Sequence, residues 1–151
     1  MNLNNFTIKA QETIARSQQL AFDGGNPVIE TEHLLKALLE EEDSLVEWLL
    51  KKSNVNVNFV EGKLAEGLNK LPKAGGGEPA QSMSRELNNV LLRAPSTLKP
   101  FGDEFVSPEH IHEVATPVIA HRLVLEPQAK FSGMTTRQVM DEILKRVPVP
   151  A

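Results

Sequence analysis

Four histidines and twenty acidic residues are the groups in this chain that could do acid–base or metal chemistry, and their spacing argues against both. His110-Ile111-His112 offers two imidazoles, but positions i and i+2 point to different sides of a helix, and no HExxH pattern occurs. Glu32, Asp103, Glu104 and Glu109 could be combined into carboxylate pairs, yet nothing in the spacing singles out two of them. Solvated faces and helix caps account for such residues. Gly75-Gly76-Gly77 resembles a phosphate loop in composition alone: no Lys-Ser or Lys-Thr follows and no apolar strand precedes. No Gly-x-Ser-x-Gly and no Walker motif are present. The sequence supports no catalytic residue, no metal site and no cofactor, and surface recognition remains.

Two of the histidines belong to a phrase used twice. Ile29-Glu30-Thr31-Glu32-His33-Leu34 recurs as Val106-Ser107-Pro108-Glu109-His110-Ile111, with the histidines 110 − 33 = 77 positions apart. In each copy a β-branched residue leads to a hydroxyl, then Glu-His, then a branched aliphatic. The hydroxyl of Thr31, or of Ser107 ahead of Pro108, is placed to cap a helix start, with the Glu in the first turn where the helix dipole favours negative charge. Histidines at repeat-equivalent places in a first turn read as packing or local hydrogen bonding. A period this long points to a duplicated helical unit and toward a pseudo-symmetric binding module.

The elements that position this phrase are helical. At 151 residues the chain holds one ordinary domain or two small ones, and 5% aromatic content with no tyrosine demands an aliphatic core. A net charge of −4 without any Lys/Arg-rich run gives no case for nucleic acid. The absence of cysteine excludes disulfides and thiolate chemistry and fits a reducing compartment. No apolar run approaches the roughly 20 residues of a membrane span, and Met1 to Asn5 has no signal-peptide character. A cytoplasmic protein is expected.

The spacing predicts a first helix from Phe6 to Phe22, capped by Thr7 and stopped by Asp23-Gly24-Gly25-Asn26-Pro27. A second opens at Thr31 and carries Leu34, Leu35, Leu38 and Leu39. Ser44 to Lys52 forms a third, and Val60, Leu64, Leu68 and Leu71 a fourth. Pro72 to Pro79 is a linker, after which Ser84 opens a helix with Leu87, Val90, Leu91 and Ala94. A shift of 77 places Phe6 on Met83, Thr7 on Ser84, Ile14 on Leu91, Val28 on Phe105 and Leu34 on Ile111. The match then weakens, with Leu35 on His112. Thr135 to Gln138 has capping-box spacing ahead of Val139, Ile143 and Val147. Two such units create a groove between them, unless the seam is simply packed core.

The run from Asn5-Phe6-Thr7 through Ile29 to Leu39, with Gly102-Asp103-Glu104-Phe105-Val106-Ser107-Pro108-Glu109-His110-Ile111, resembles the Clp N-terminal domain, in the branch of the ClpB disaggregases. The resemblance covers about residues 1–111. It implies an all-α domain of eight helices in two four-helix repeats, attached to a hexameric AAA+ unfoldase. It implies that a surface between the repeats engages unfolded or aggregated polypeptide. The family's polar contact positions match Thr7, Asp103 and Glu109, with apolar neighbours gripping. An adaptor or the AAA+ modules of the parent hexamer are further implied partners, and ATPase activity would belong to that longer parent.

Beyond Ile111 the expected aliphatic stretch is replaced by His112 to Leu125. With Gly133-Met134-Thr135 and the closing Val147-Pro148-Val149-Pro150, residues from about 91 to 151 are similar to the C-terminal lid of MoxR-type AAA+ ATPases. The expected organisation is a Clp-like repeat at 1–71, a Gly/Pro linker at 72–81, a second helical unit of mixed pattern at 82–147 and a tail at 148–151. Two other functional readings stay open at this point: a lid or regulatory fragment of a MoxR-like ATPase, and a chimeric or engineered helical scaffold without binding activity.

Overall fold

A computed structural model describes residues 2–42, 44–52, 54–74 and 82–122. Its helices are α1 (Ile8–Asp23), α2 (Thr31–Glu40), α3 (Leu45–Lys52), α4 (Val57–Asn69), α5 (Arg85–Arg93), α6 (Leu98–Phe101) and α7 (Pro108–Arg122). A 3-10 turn, Ala94–Thr97, joins α5 to α6, and two short strands, β1 (Val28–Ile29) and β2 (Ser82–Met83), complete the described elements. The all-α expectation holds. The capping box at Thr135 and the apolar face from Val139 to Val147 lie outside the described residues.

The first repeat follows its sequence signals closely. Thr7 Oγ1 accepts from the Ala10 amide at 3.2 Å, Ser44 Oγ from the Glu47 amide, and Asn56 Oδ1 from the Phe59 amide, so three helix starts have side-chain caps. Ser84 Oγ accepts from the Leu87 amide at 3.2 Å, repeating the Thr7 cap 77 residues later. Replacing Ser84 by Ala removes that bond from a buried donor. It is expected to lower stability by about 1 kcal/mol in urea unfolding; an unchanged midpoint would show that water satisfies the amide.

α1 ends in a Schellman motif. The Asn26 amide donates to Ala21 O at 2.9 Å and the Gly25 amide to Phe22 O at 2.9 Å, with Gly25 at φ +69°. The second copy repeats it with Asp103 on Leu98 O, Gly102 on Lys99 O, and Gly102 at φ +73°. Only a residue without Cβ adopts this left-handed turn at no steric cost. The stretch between the two motifs differs. Residues 85–100 correspond to one uninterrupted helix in the first copy, but Pro95 lacks an amide hydrogen and crowds the preceding turn. The helix therefore breaks into α5, the 3-10 turn and α6.

The repeats cross over each other. β1 pairs in parallel with β2, Val28 opposite Ser82 and Ile29 opposite Met83, and Phe6 bridges in parallel to Val106. The segment leading into α1 thus pairs with the segment leading into α7, and the segment leading into α5 with that leading into α2. The amide of Thr7 donates to Val106 O at 2.9 Å, as the amide of Ser84 does to Ile29 O at 2.9 Å. Beneath these pairs α2 packs on α1, α4, α5 and α7, and α7 on α1, α2 and α5. One core cluster runs through both repeats, with Leu34, Leu38, Leu87, Leu91, Val106 and Ile111 essentially removed from solvent. The centre of the seam is packed core, which leaves its rim as the part open to solvent.

Candidate functional site

The doubled phrase builds the same hydrogen-bonded box twice. His33 Nδ1 accepts from the Glu30 amide at 2.9 Å, and His110 Nδ1 from the Ser107 amide at 3.1 Å. Each histidine stands three residues past the helix cap and plays the part that Glu or Gln takes in a capping box. The Ser107 hydroxyl lies a further 2.8 Å from His110 Nδ1. Glu30, and not Thr31, occupies the cap position of α2. Thr31 is already inside the first turn, fully buried, its hydroxyl donating to Glu32 Oε2 at 3.1 Å. The expected cap was one residue late because hydroxyls dominate cap statistics, whereas here the histidine closes the box from the other side.

An Nδ1 that accepts from an amide fixes the neutral ring as the Nε2–H tautomer. In the first copy that hydrogen meets Asn26 Oδ1 at 3.1 Å, and Asn26 Nδ2 in turn donates to Pro72 O at 3.0 Å. In the second copy the residue at Asn26's place is Asp103, with Oδ2 3.2 Å from His110 Nε2. The carboxylate stands out of line, and among the described residues Nε2 has no hydrogen-bond partner. Asn26 is 4% exposed, whereas the Asp103 side chain is 56% exposed.

Burial pushes the His33 ring below its ordinary value of 6.5, and Glu32 and Glu30 oppose the shift without reversing it. Burial lowers His112 in the same direction. The unfolded chain therefore takes up protons at these rings before the folded one does. Stability contributed by the neutral rings is full above the unfolded value and is lost as pH falls through it. The urea midpoint is expected to drop between about pH 7.5 and 5.5, and less steeply in His33→Gln, whose amide can still close the box. Equal slopes in both proteins would contradict this assignment.

The three residues singled out for recognition fall around the Phe6–Val106 bridge. Thr7 follows Phe6 and donates its amide to Val106 O, while Asp103 and Glu109 stand three residues on either side of Val106. Thr7 is half-buried with its hydroxyl committed to the α1 cap. Asp103 and Glu109 are exposed, Glu109 in the first turn of α7. Two apolar side chains flank the bridged pair: Ile8, 77% exposed, and Phe105, 52% exposed. Leaving such groups in water forgoes burial energy. Alternation and spacing gave no reason to single out these two, since exposure of individual apolar residues is a tertiary property. Trp48 on α3 and Phe59 on α4 are also exposed.

The model of the Clp repeat (R) N-terminal domain family matches residues 5–112, which spans both boxes and the crossed pairs. The chain belongs to this family. A second family model, the AAA lid domain, matches residues 101–143, so the two patterns overlap at the second helix-start phrase. The chaperone protein ClpB of Porphyromonas gingivalis is 38% identical over 143 residues, and that of Bacteroides thetaiotaomicron 34% over the same length. Each alignment takes in 95% of this chain but only 16% of the relative. By fold the Clp domain is similar to the Hsp104 N-terminal domain from Candida albicans, with a TM-score of 0.73 at 19% identity over 94% of this chain and 91% of that one. It is also similar to a ClpV N-domain in complex with a VipB peptide, with a TM-score of 0.66 at 18% identity over 97% and 93%. Among the described residues no helix is long and apolar enough to cross a membrane.

Proposed function

We propose that this chain is the non-catalytic substrate-binding domain of a ClpB-like ATP-dependent chaperone, and that it engages unfolded or aggregated polypeptide at the rim where the repeats cross. The observation that supports this reading is the Phe6–Val106 bridge, with exposed Ile8, Asp103, Phe105 and Glu109 each within three residues of a bridged residue along the chain. An unfolded chain offers apolar side chains together with unpaired amides and carbonyls. Ile8 and Phe105 take the first, and Asp103 and Glu109 accept from the unpaired amides. A ClpV N-domain of similar fold, in complex with a VipB peptide, supports polypeptide as the ligand class. Association with AAA+ modules or an adaptor follows from the same reading. Thr7→Ala with Asp103→Ala is expected to weaken binding of a reduced, alkylated, permanently unfolded protein by roughly tenfold, about 1.4 kcal/mol. Unchanged binding in a folded double variant would refute the site.

A second reading rests on the AAA lid match at residues 101–143. On that reading the C-terminal part docks on an ATPase core and unfolded chains do not bind. The same binding measurement separates the two.

A further inference from the structure

Among the differences between the two boxes, one bears on why the first is closed and the second open. In the first copy the turn reads Gly24-Gly25-Asn26, and in the second Phe101-Gly102-Asp103. A Cβ built on Gly24 would lie 2.5 Å from Asn26 Oδ1, closer than any real contact. Asn26 Oδ1, bonded to His33 Nε2, therefore occupies space that a side chain at residue 24 would claim. Its counterpart Phe101 has one, and its ring stands edge-on to His110 with centroids 5.1 Å apart. Asp103 Oδ2 stays 3.2 Å from His110 Nε2 but off the line of a hydrogen bond, with its side chain 56% exposed.

We propose that Phe101 is a positioning residue: its Cβ holds the Asp103 carboxylate off the line of the hydrogen bond that Asn26 makes in the first copy, and so leaves it presented to an incoming polypeptide. The duplication thereby turned a structural lock in the first copy into a recognition group in the second. This inference rests on the binding role proposed for Asp103. His110 supplies the wall behind the carboxylate, 3% exposed and held by Ser107. The Cβ alone accounts for the exclusion, which separates positioning from direct gripping by the ring.

The test compares Phe101→Ala with Phe101→Gly in the intact chain, which lose the same ring and differ by one carbon. Binding of the reduced, alkylated unfolded protein is read beside the imidazole resonances of His110. Phe101→Ala should keep the Asp103-dependent part of binding. Phe101→Gly should weaken binding by the same factor as Asp103→Ala and give His110 the protected Nε2 proton signal that His33 shows. In the opposite direction, Gly24→Ala should expel Asn26 and remove that signal from His33; at φ −76° an alanine fits the backbone. Equal binding by the two Phe101 variants, with no new His110 signal, would overturn the proposal. If Asp103→Ala leaves binding unchanged while the imidazole signals move as described, the binding site is wrong and the positioning is right.

Discussion

Leu34→Ala and Ile111→Ala are each expected to cost about 2–5 kcal/mol, the range for emptying a fully buried aliphatic site. The two residues occupy the same place in the two copies of the helix-start phrase, and neither has measurable exposure. They sit on α2 and α7, which pack against each other across the seam. A cavity at either place faces both repeats, so neither repeat can relax on its own to fill it. Domains of this size are stable by only about 5–15 kcal/mol. At roughly 3 °C per kcal/mol the loss is plain in a thermal melt, and urea unfolding gives it as a free energy. A single cooperative transition should persist in both variants. Two separated transitions would mean that the repeats have independent cores, contrary to the continuous cluster described above.

Phe6→Ala carries the second large effect, about 3–5 kcal/mol from loss of a buried ring. Phe6 is part of the core and also the residue that bridges to Val106. The Thr7 amide donates to Val106 O and the Val106 amide to Asn5 O, so the ring anchors a pair of backbone bonds that tie the N-terminal segment to the second repeat. Hydrogen exchange at Thr7 and Val106 should speed up more than at Ser84, whose amide is held by Ile29 in the other crossed pair. Uniform acceleration at all three would mean that the two crossed pairs open only with global unfolding.

Much of this architecture was legible in residue types. Thr7 and Ser84 stood where hydroxyl caps belong, Gly25 and Gly102 where helices stop, and a single shift of 77 related them. The two-residue strands were not legible, because alternation needs four or more residues to show a period of two. Nor was the split into α5 and α6: Leu87, Val90, Leu91 and Ala94 keep helical spacing right up to Pro95, which then removes an amide hydrogen from the ladder. The cap of α2 fell at Glu30 because the box closes through the histidine ring, an arrangement that cap preferences do not encode.

The candidate site was legible in part. Thr7 is far in sequence from Asp103 and Glu109, and the Phe6–Val106 bridge brings its segment beside theirs. The pairing of Asp103 with His110 was available from the repeat, since the same shift relates it to Asn26 and His33, but that Asn26 and His33 touch is a fact of three dimensions. Whether the carboxylate would fold in or turn out depended on the side chain at residue 101, two positions away. Nothing in composition, charge or periodicity carries that information.

The central claim is that polypeptide binds at the rim of the crossed repeats. Titration of the isotope-labelled chain with a reduced, alkylated unfolded protein, followed by amide and methyl chemical shifts, tests it most directly. Shifts concentrated at Thr7, Ile8, Asp103, Phe105 and Glu109, with Trp48 and Phe59 silent, are the expected result. Shifts concentrated at Trp48 and Phe59 on α3 and α4, with the rim unmoved, would contradict it.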